Sequence, residues 1–345
     1  DFSTLTNPLS NCNELNQLSH LNTLFMELLI EKIMSTVLIT GASGFIGANL
    51  VRNLINTKDQ IHILIRKQSN LWRLNNIISE CNVHFVDISK IDEVRNMISK
   101  VKPEIVYHCA TFGVYPNQKD ASKMEQTNVT GTLNLLTSLH ENSELERLVN
   151  LGSVSEYGPK SNSIKETEPT QPFDSYSVTK VSQTKLVEYY SHQKKLPAVT
   201  LRIFTPYGIF EEPNRLISDV MVAAVKKNPL KIFSRKAKRD FVYIDDVTSA
   251  LIKASNKPGI DGEIFNIGSG RSTSVEEIVN LVCKVTNIDL DVSWCDENQR
   301  EHDKTGTNGF ADLQKVKKID WKPEVSLKDG LSRTYDWFLQ NIKLY

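Results

Sequence analysis

Residues 37–47 read Val-Leu-Ile-Thr-Gly-Ala-Ser-Gly-Phe-Ile-Gly, and no other stretch restricts the fold so sharply. An apolar strand runs into glycines at 41, 44 and 47, and a helical pattern continues to Asn56. Glycine adopts backbone angles closed to other residues and lets amide N–H groups approach a ligand closely. The amino end of a helix carries partial positive charge and unpaired donors, so such a turn suits a pyrophosphate. The strand–turn–helix context is the one a dinucleotide-binding unit needs, and no Gly-Lys-Ser/Thr follows to make a P-loop.

The remaining pattern fits that beginning. Apolar runs at 36–40, 61–65, 83–86, 104–107, 148–151 and 199–204 alternate with helical periods at 45–56, 91–101, 121–140 and 176–193. Strands buried on both faces with helices between them predict an α/β fold, a doubly wound parallel sheet. From about residue 207 the rhythm changes to short strands (231–233, 240–243, 263–266) and helices at 274–286 and 327–341. We expect residues 34–206 to form the dinucleotide-binding unit, with 240–267 returning to it. Residues 207–239 and 268–345 then make a smaller substrate lobe. Residues 1–33 lack clear periodicity and a secretory pattern; we expect a leader outside the fold, with Met34 as the natural start.

Charge and cysteine usage narrow the field. The chain balances 41 basic against 41 acidic side chains, which argues against nucleic-acid or acidic-membrane partners. No apolar run is long enough to span a bilayer. Five scattered cysteines without a CxxC pair argue against a zinc site or disulfide framework and point to the cytoplasm.

Tyr176 and Lys180 stand four residues apart on one helical face. A phenol titrates near pH 10 and is a poor base at neutrality. An ammonium roughly 4 Å away contributes about 4 kcal/mol at an effective dielectric of about 20, enough to lower that pKa substantially. Ser153, just past the fifth strand, adds a hydroxyl that can bind the same reacting oxygen. The second strand ends in Ile65, Arg66 and Lys67, where an acidic residue would grip the ribose hydroxyls of NAD. An arginine suits a 2′-phosphate, so Arg66 tilts the expectation towards NADP while NAD stays open. Asp87, at the end of the third strand, is placed for the adenine amino group.

These elements occur with His108-Cys-Ala-Thr111, Asn128-Val-Thr-Gly131, Arg239-Asp-Phe-Val-Tyr-Ile-Asp245-Asp246 and Phe265-Asn-Ile-Gly268. Together they resemble an extended short-chain dehydrogenase/reductase of the nucleotide-sugar epimerase/dehydratase family, over essentially all of residues 35–341. The resemblance implies a Rossmann-like fold. It implies cofactor contacts from Gly41, Ser43, Gly44, Phe45, Ile46, Gly47, Arg66, Asp87, Ile88, Ala110, Asn128, Tyr176 and Lys180. Ser153, Tyr176 and Lys180 become the catalytic group. Ser153, Ser155, Thr205, Arg239 and Arg300 become substrate contacts, the two arginines clamping a nucleotide diphosphate. No metal is implied, and a homodimer is, joined through the helices at 121–140 and 176–193.

Two departures refine the reaction. Family dehydratases carry an acid pair after the catalytic hydroxyl residue, and this chain has Val154 and Ser155 there. A 4,6-dehydratase is therefore disfavoured, with Glu156 expected on the strand's other face. Thr205 replaces a frequent asparagine and leaves the nucleotide base open. A 4-epimerase acting on a nucleotide hexose and an NADPH-dependent 4-keto-6-deoxyhexose reductase both fit. A non-catalytic nucleotide-sensing scaffold fits less well, because Tyr176 and Lys180 are both present.

Overall fold

The computed structural model describes residues 34–115, 117–142, 144–295 and 309–345; the leader and Arg300 lie outside the described residues. Seven strands make one sheet: β1 (Thr36–Thr40), β2 (Gln60–Ile65), β3 (Asn82–Phe85), β4 (Ile105–His108), β5 (Arg147–Ser153), β6 (Ala198–Ile203) and β7 (Ile264–Ile267). Their order is β7-β6-β5-β4-β1-β2-β3, and every pairing is parallel.

The period-2 alternation of strands explains the two layers around this sheet. Val37 and Ile39 of β1 face one apolar cluster while Leu38 faces another. Ile105 and Tyr107 of β4 share the first cluster, and Val106 turns to the second. Helices α1 (Phe45–Leu54) and α6 (Ile244–Asn256) cover the first face. Helices α2 (Ile91–Val101), α3 (Gly131–His140) and α4 (Ser175–Lys194) cover the second. The doubly wound reading of the sequence is what the chain adopts.

Two differences from the sequence reading matter. The stretch expected as one helix over 121–140 is Ala121–Met124, a π-helical segment Glu125–Thr130, then α3. A π-segment inserts an extra residue per turn and commonly marks a working part of a protein. The region 240–267 divides: Phe241–Tyr243 pairs with Thr205–Tyr207 in a separate ladder, and only β7 enters the large sheet. The later part of the chain also contains α5 (Leu216–Lys226), α7 (Val275–Thr286) and α8 (Leu327–Asn341), with short ladders between them. Among the described residues no helix is long and apolar enough to cross a membrane, and no three His, Cys, Asp or Glu side chains come together as a metal site would need.

Candidate active site

Strand order reverses between β1 and β4, which opens a crevice at their carboxyl ends where α/β sheets bind ligands. Gly41 follows β1 with φ +66°, and a Cβ there would lie 2.6 Å from the Ala110 amide nitrogen beyond β4. Gly44 N–H donates to the Gly41 carbonyl at 3.0 Å, closing the turn. A Cβ on Gly47 would stand 2.3 Å from that carbonyl oxygen, so α1 packs this closely only with glycine there. Phe45 is buried, and Ile46 packs against the same apolar cluster. The amino end of α1 has no side-chain cap and no acidic residue in its first turn. Its N–H donors are left for an anion, so this cradle fits a dinucleotide pyrophosphate.

The flanking residues are arranged as follows. Arg66 and Lys67 are exposed after β2, where the Arg66 amide donates to Ser69 Oγ at 3.0 Å. Asp87 Oδ1 accepts from Ser89 N–H at 3.0 Å and from Ser89 Oγ at 2.8 Å. Ile88 is buried against Gly131, and its carbonyl accepts from Asn134 at 3.0 Å. Asn128 lies in the π-segment with no exposed surface. It donates to the Phe112 carbonyl and Thr179 Oγ1 and accepts from Phe112 N–H and Thr111 Oγ1. These bonds fill the amide's capacity, so Asn128 organises the loop after β4 instead of contacting a cofactor through its side chain.

Asp174 caps α4 by accepting from Ser177 N–H at 2.7 Å, which sets Tyr176 in the first turn facing the end of β5. Ser153 closes β5; its Oγ lies 2.8 Å from Ser155 Oγ and accepts from Ser155 N–H at 3.2 Å. Burial pushes the Tyr176 phenol up to about 12, opposed by hydrogen bonding with the Ser153 and Thr111 side chains. Ser153, Ser155, Thr111 and Tyr176 therefore meet at one place. Burial pulls Lys180 down to about 8 against the attraction of Glu156. Lys180 Nζ donates to the Leu151 carbonyl at 2.5 Å and to Gln183 Oε1. The expected lowering of the tyrosine pKa by this lysine is thus not seen: the ammonium is directed at β5 and Gln183, and desolvation dominates the phenol.

Glu156 does not lie on the reverse face of a strand, because β5 stops at Ser153 and 154–157 form a 3₁₀ turn. Its carboxylate folds inward, accepting from Ser153 N–H at 2.8 Å and from Arg202 Nε at 2.8 Å, both side chains being buried. Thr205 N–H donates to the Asp240 carbonyl at 2.9 Å within the ladder beside the site. Arg239 lies in a short strand paired antiparallel with Thr273–Ser274. Asp245 and Asp246 stand in the first turn of α6, which begins at Ile244. Asp246 accepts from Glu324 and Val325 N–H, each at 3.0 Å, and Asp245 pairs with Arg333.

Sequence reasoning missed a buried polar file behind the cradle. Ala110 N–H donates to Thr40 Oγ1, which lies 2.7 Å from His108 Nδ1. His108 Nε2 lies 2.9 Å from Thr132 Oγ1, which donates to the Asn128 carbonyl. This network assigns the Nε2–H tautomer. Burial lowers His108 to about 3, so it stays neutral and structural. Asn128 continues the file to Thr179, whose hydroxyl donates to the Tyr176 carbonyl at 2.8 Å. Threonines in strands and helices read as filler, so nothing in the one-dimensional pattern marks them. Cys109 beside them is a buried thiol pushed up to about 12, a small apolar filler.

A parallel sheet with a glycine cradle at its switch point and a Ser–Tyr–Lys group across the crevice defines a short-chain dehydrogenase/reductase. The chain belongs to the NAD dependent epimerase/dehydratase family, whose sequence model matches residues 37–268. It is 29% identical, over 90% of its length and 98% of the relative's, to a UDP-glucuronate 4-epimerase of Thermodesulfobacterium geofontis. It is 28% identical to an Arabidopsis thaliana trifunctional UDP-glucose 4,6-dehydratase/3,5-epimerase/reductase, of which it spans 47%. Among solved structures, the Bacillus cereus UDP-glucuronic acid 4-epimerase in complex with UDP-glucuronic acid and NAD aligns with a TM-score of 0.78 and 28% identity. That alignment covers 90% of this chain and 99% of the other.

Proposed function

We propose that this chain is an NAD-dependent UDP-sugar 4-epimerase. One observation carries the reading: Ser153 and Tyr176 converge opposite the dinucleotide cradle, while the positions beside them offer Val154 and Ser155 and no free carboxylic acid. Elimination of water from a sugar needs an acid to protonate the departing hydroxyl. Glu156, the nearest carboxylate in sequence, is committed to Arg202 and the Ser153 amide. Chemistry at a single carbinol needs only a group that takes and returns one proton.

Bound NAD would supply the hydride acceptor and donor for C4. Tyr176, in its phenolate form, would take the proton of the C4 hydroxyl and later return it, while Ser153 and Thr111 hold the oxygen. Lys180, anchored on β5, supplies positive charge beneath the site. Ser155 fixes the Ser153 hydroxyl. Thr205 and Arg239 are proposed substrate contacts beside the ladder after β6. Gly41 to Gly47, Ile88 and Ala110 hold the dinucleotide.

A second reading, an NADPH-dependent reductase of a 4-keto sugar, is favoured by Arg66 and Lys67 and the missing carboxylate at the end of β2. The test denatures the purified chain and identifies any nucleotide released. It then follows UDP-glucuronate and UDP-glucose by proton NMR without added reductant. Appearance of the C4 epimer with bound NAD supports the epimerase. No epimer, together with oxidation of NADPH by a 4-keto-6-deoxy sugar, replaces it with the reductase.

Leu133 on α3 and Val178 and Tyr189 on α4 are large apolar side chains at least two-fifths exposed (40%, 49% and 50%). They support a homodimer through these helices, which light scattering of the purified chain tests. The described cysteines are free, which suits a cytoplasmic location.

A further inference from the structure

The interior behind Ser153 contains a carboxylate and a guanidinium that the proposed chemistry leaves unused. Arg202 of β6 stands in register with Gly152 of β5 on one side and Asn266 of β7 on the other. Its side chain is 3% exposed, and that of Glu156 is 0% exposed. Arg202 Nε donates to one oxygen of the Glu156 carboxylate at 2.8 Å, and Ser153 N–H donates to the other at 2.8 Å. The guanidinium lies 4.5 Å over the Tyr157 ring, whose hydroxyl donates to Asn266 Oδ1 at 2.7 Å. Glu156 is thus clamped between two strands.

Stability alone does not account for such a pair. Taking two charges out of water is costly, and apolar side chains of similar volume serve an interior as well or better. What the pair adds is a negative charge in a fixed place. Gly152, whose missing side chain leaves room for the carboxylate, shares a peptide link with the Leu151 carbonyl that Lys180 Nζ holds at 2.5 Å. Ammonium and carboxylate therefore approach the end of β5 at neighbouring residues. Among the described residues, Glu156, Cys109 and His108 are the titratable groups whose charge bears on Lys180. Burial keeps Cys109 a neutral thiol and His108 a neutral imidazole. That leaves Glu156 as the negative charge before the ammonium, opposing the burial that lowers Lys180. Burial first, and then Glu156, raise the Tyr176 phenol one helical turn away.

We infer that Glu156 is a positioning residue of the reaction: clamped by Arg202 and the Ser153 amide, it is the fixed counter-charge of the Lys180 ammonium. The inference rests on the reading of Ser153, Tyr176 and Lys180 as the reacting group of a 4-epimerase. With the counter-charge in place, Lys180 holds its proton through neutrality. Without it, desolvation acts on the ammonium unopposed.

The test follows Lys180 by NMR of the full chain with isotope-labelled lysine ε-carbons, its signal being assigned by loss in Lys180→Met. Glu156→Gln is expected to lower the pH at which Lys180 titrates by about one unit or more. The pH at which formation of the C4 epimer declines should fall with it. Arg202→Lys disturbs the packing on Tyr157 yet keeps the carboxylate paired, and is expected to leave the Lys180 titration in place. Should Glu156→Gln fail to fold, the double variant Glu156→Gln with Arg202→Gln keeps a hydrogen-bonded pair without charge and is expected to show the same shift. An unmoved Lys180 titration in these charge-free variants overturns the inference, and so does an equal shift in Arg202→Lys. The expected shift in a chain that forms no C4 epimer would support the inference and sink the epimerase reading instead.

Discussion

The part of the chain before residue 204 and the part after it are held together by different means. In the first, parallel strands repeat one apolar pattern, and the ligand cradle is made of backbone: glycines 41, 44 and 47 and uncapped N–H groups. In the second, apart from β7, the ladders are two or three residues long, and single side chains join distant segments. Asp240, 1% exposed, accepts from Ser269 N–H and Oγ, Gly270 N–H and Ala311 N–H. Asp246 likewise pins Glu324 and Val325, and the Trp321 indole N–H donates to its carbonyl at 2.9 Å. A repeating sheet spreads a perturbation over many neighbours, whereas a carboxylate holding several amides concentrates it in one residue.

The junction between the two parts offers the strongest way to break this comparison. Tyr176→Phe removes one oxygen from a packed ring, so turnover should fall by about 10³-fold while NAD affinity stays within a few-fold. Loss of NAD binding in that variant would mean the cradle depends on side chains after all. Next in size, Gly47→Ala drives a methyl into the Gly41 carbonyl. It should weaken NAD binding by about 100-fold, near 3 kcal/mol, with the sheet intact by circular dichroism. Asp240→Asn probes the second part: about 2 kcal/mol of stability should go. Hydrogen exchange should speed up at Ser269, Gly270 and Ala311 before it does in β5. Uniform acceleration would erase the distinction.

The smallest expected effect is in pH dependence. Lys180 carries its charge below about 8 and loses it above, because burial lowers its pKa from 10.5. Turnover should therefore decline by a few-fold as pH rises through about 8. A profile flat to pH 10 would show that this ammonium is not needed.

The sequence made the first part readable and the second part much less so, for physical reasons. Apolar runs of strand length and glycines before a helix are local signals, and the sheet and cradle follow them within a residue or two. The places of Ser153 at a strand end and of Tyr176 and Lys180 on one helix were legible because strand end and helix register are also local. What Lys180 does with its charge was not, since the Leu151 carbonyl and Gln183 become its partners only once α4 lies against β5. Asp246 stands beside a helix start, yet the residues that claim it lie some eighty positions later. The π-segment around Asn128 leaves no mark in composition, because its residues suit an α-helix equally well. Arg73 sits in a loop of unremarkable sequence, and only folding reveals its acceptors at 43, 210 and 212.

Gly152 lies beside the buried Glu156–Arg202 pair, where an added Cβ would come within 2.7 Å of Glu156 Oε1 and 3.0 Å of Arg202 Cγ. A side chain at 152 requires the carboxylate to shift, and a shift that breaks the pair strands a guanidinium in the interior. These three positions are consequently coupled: a change at one alters what the other two can be. A library randomised at all three together should therefore return combinations that one randomised at a single position does not.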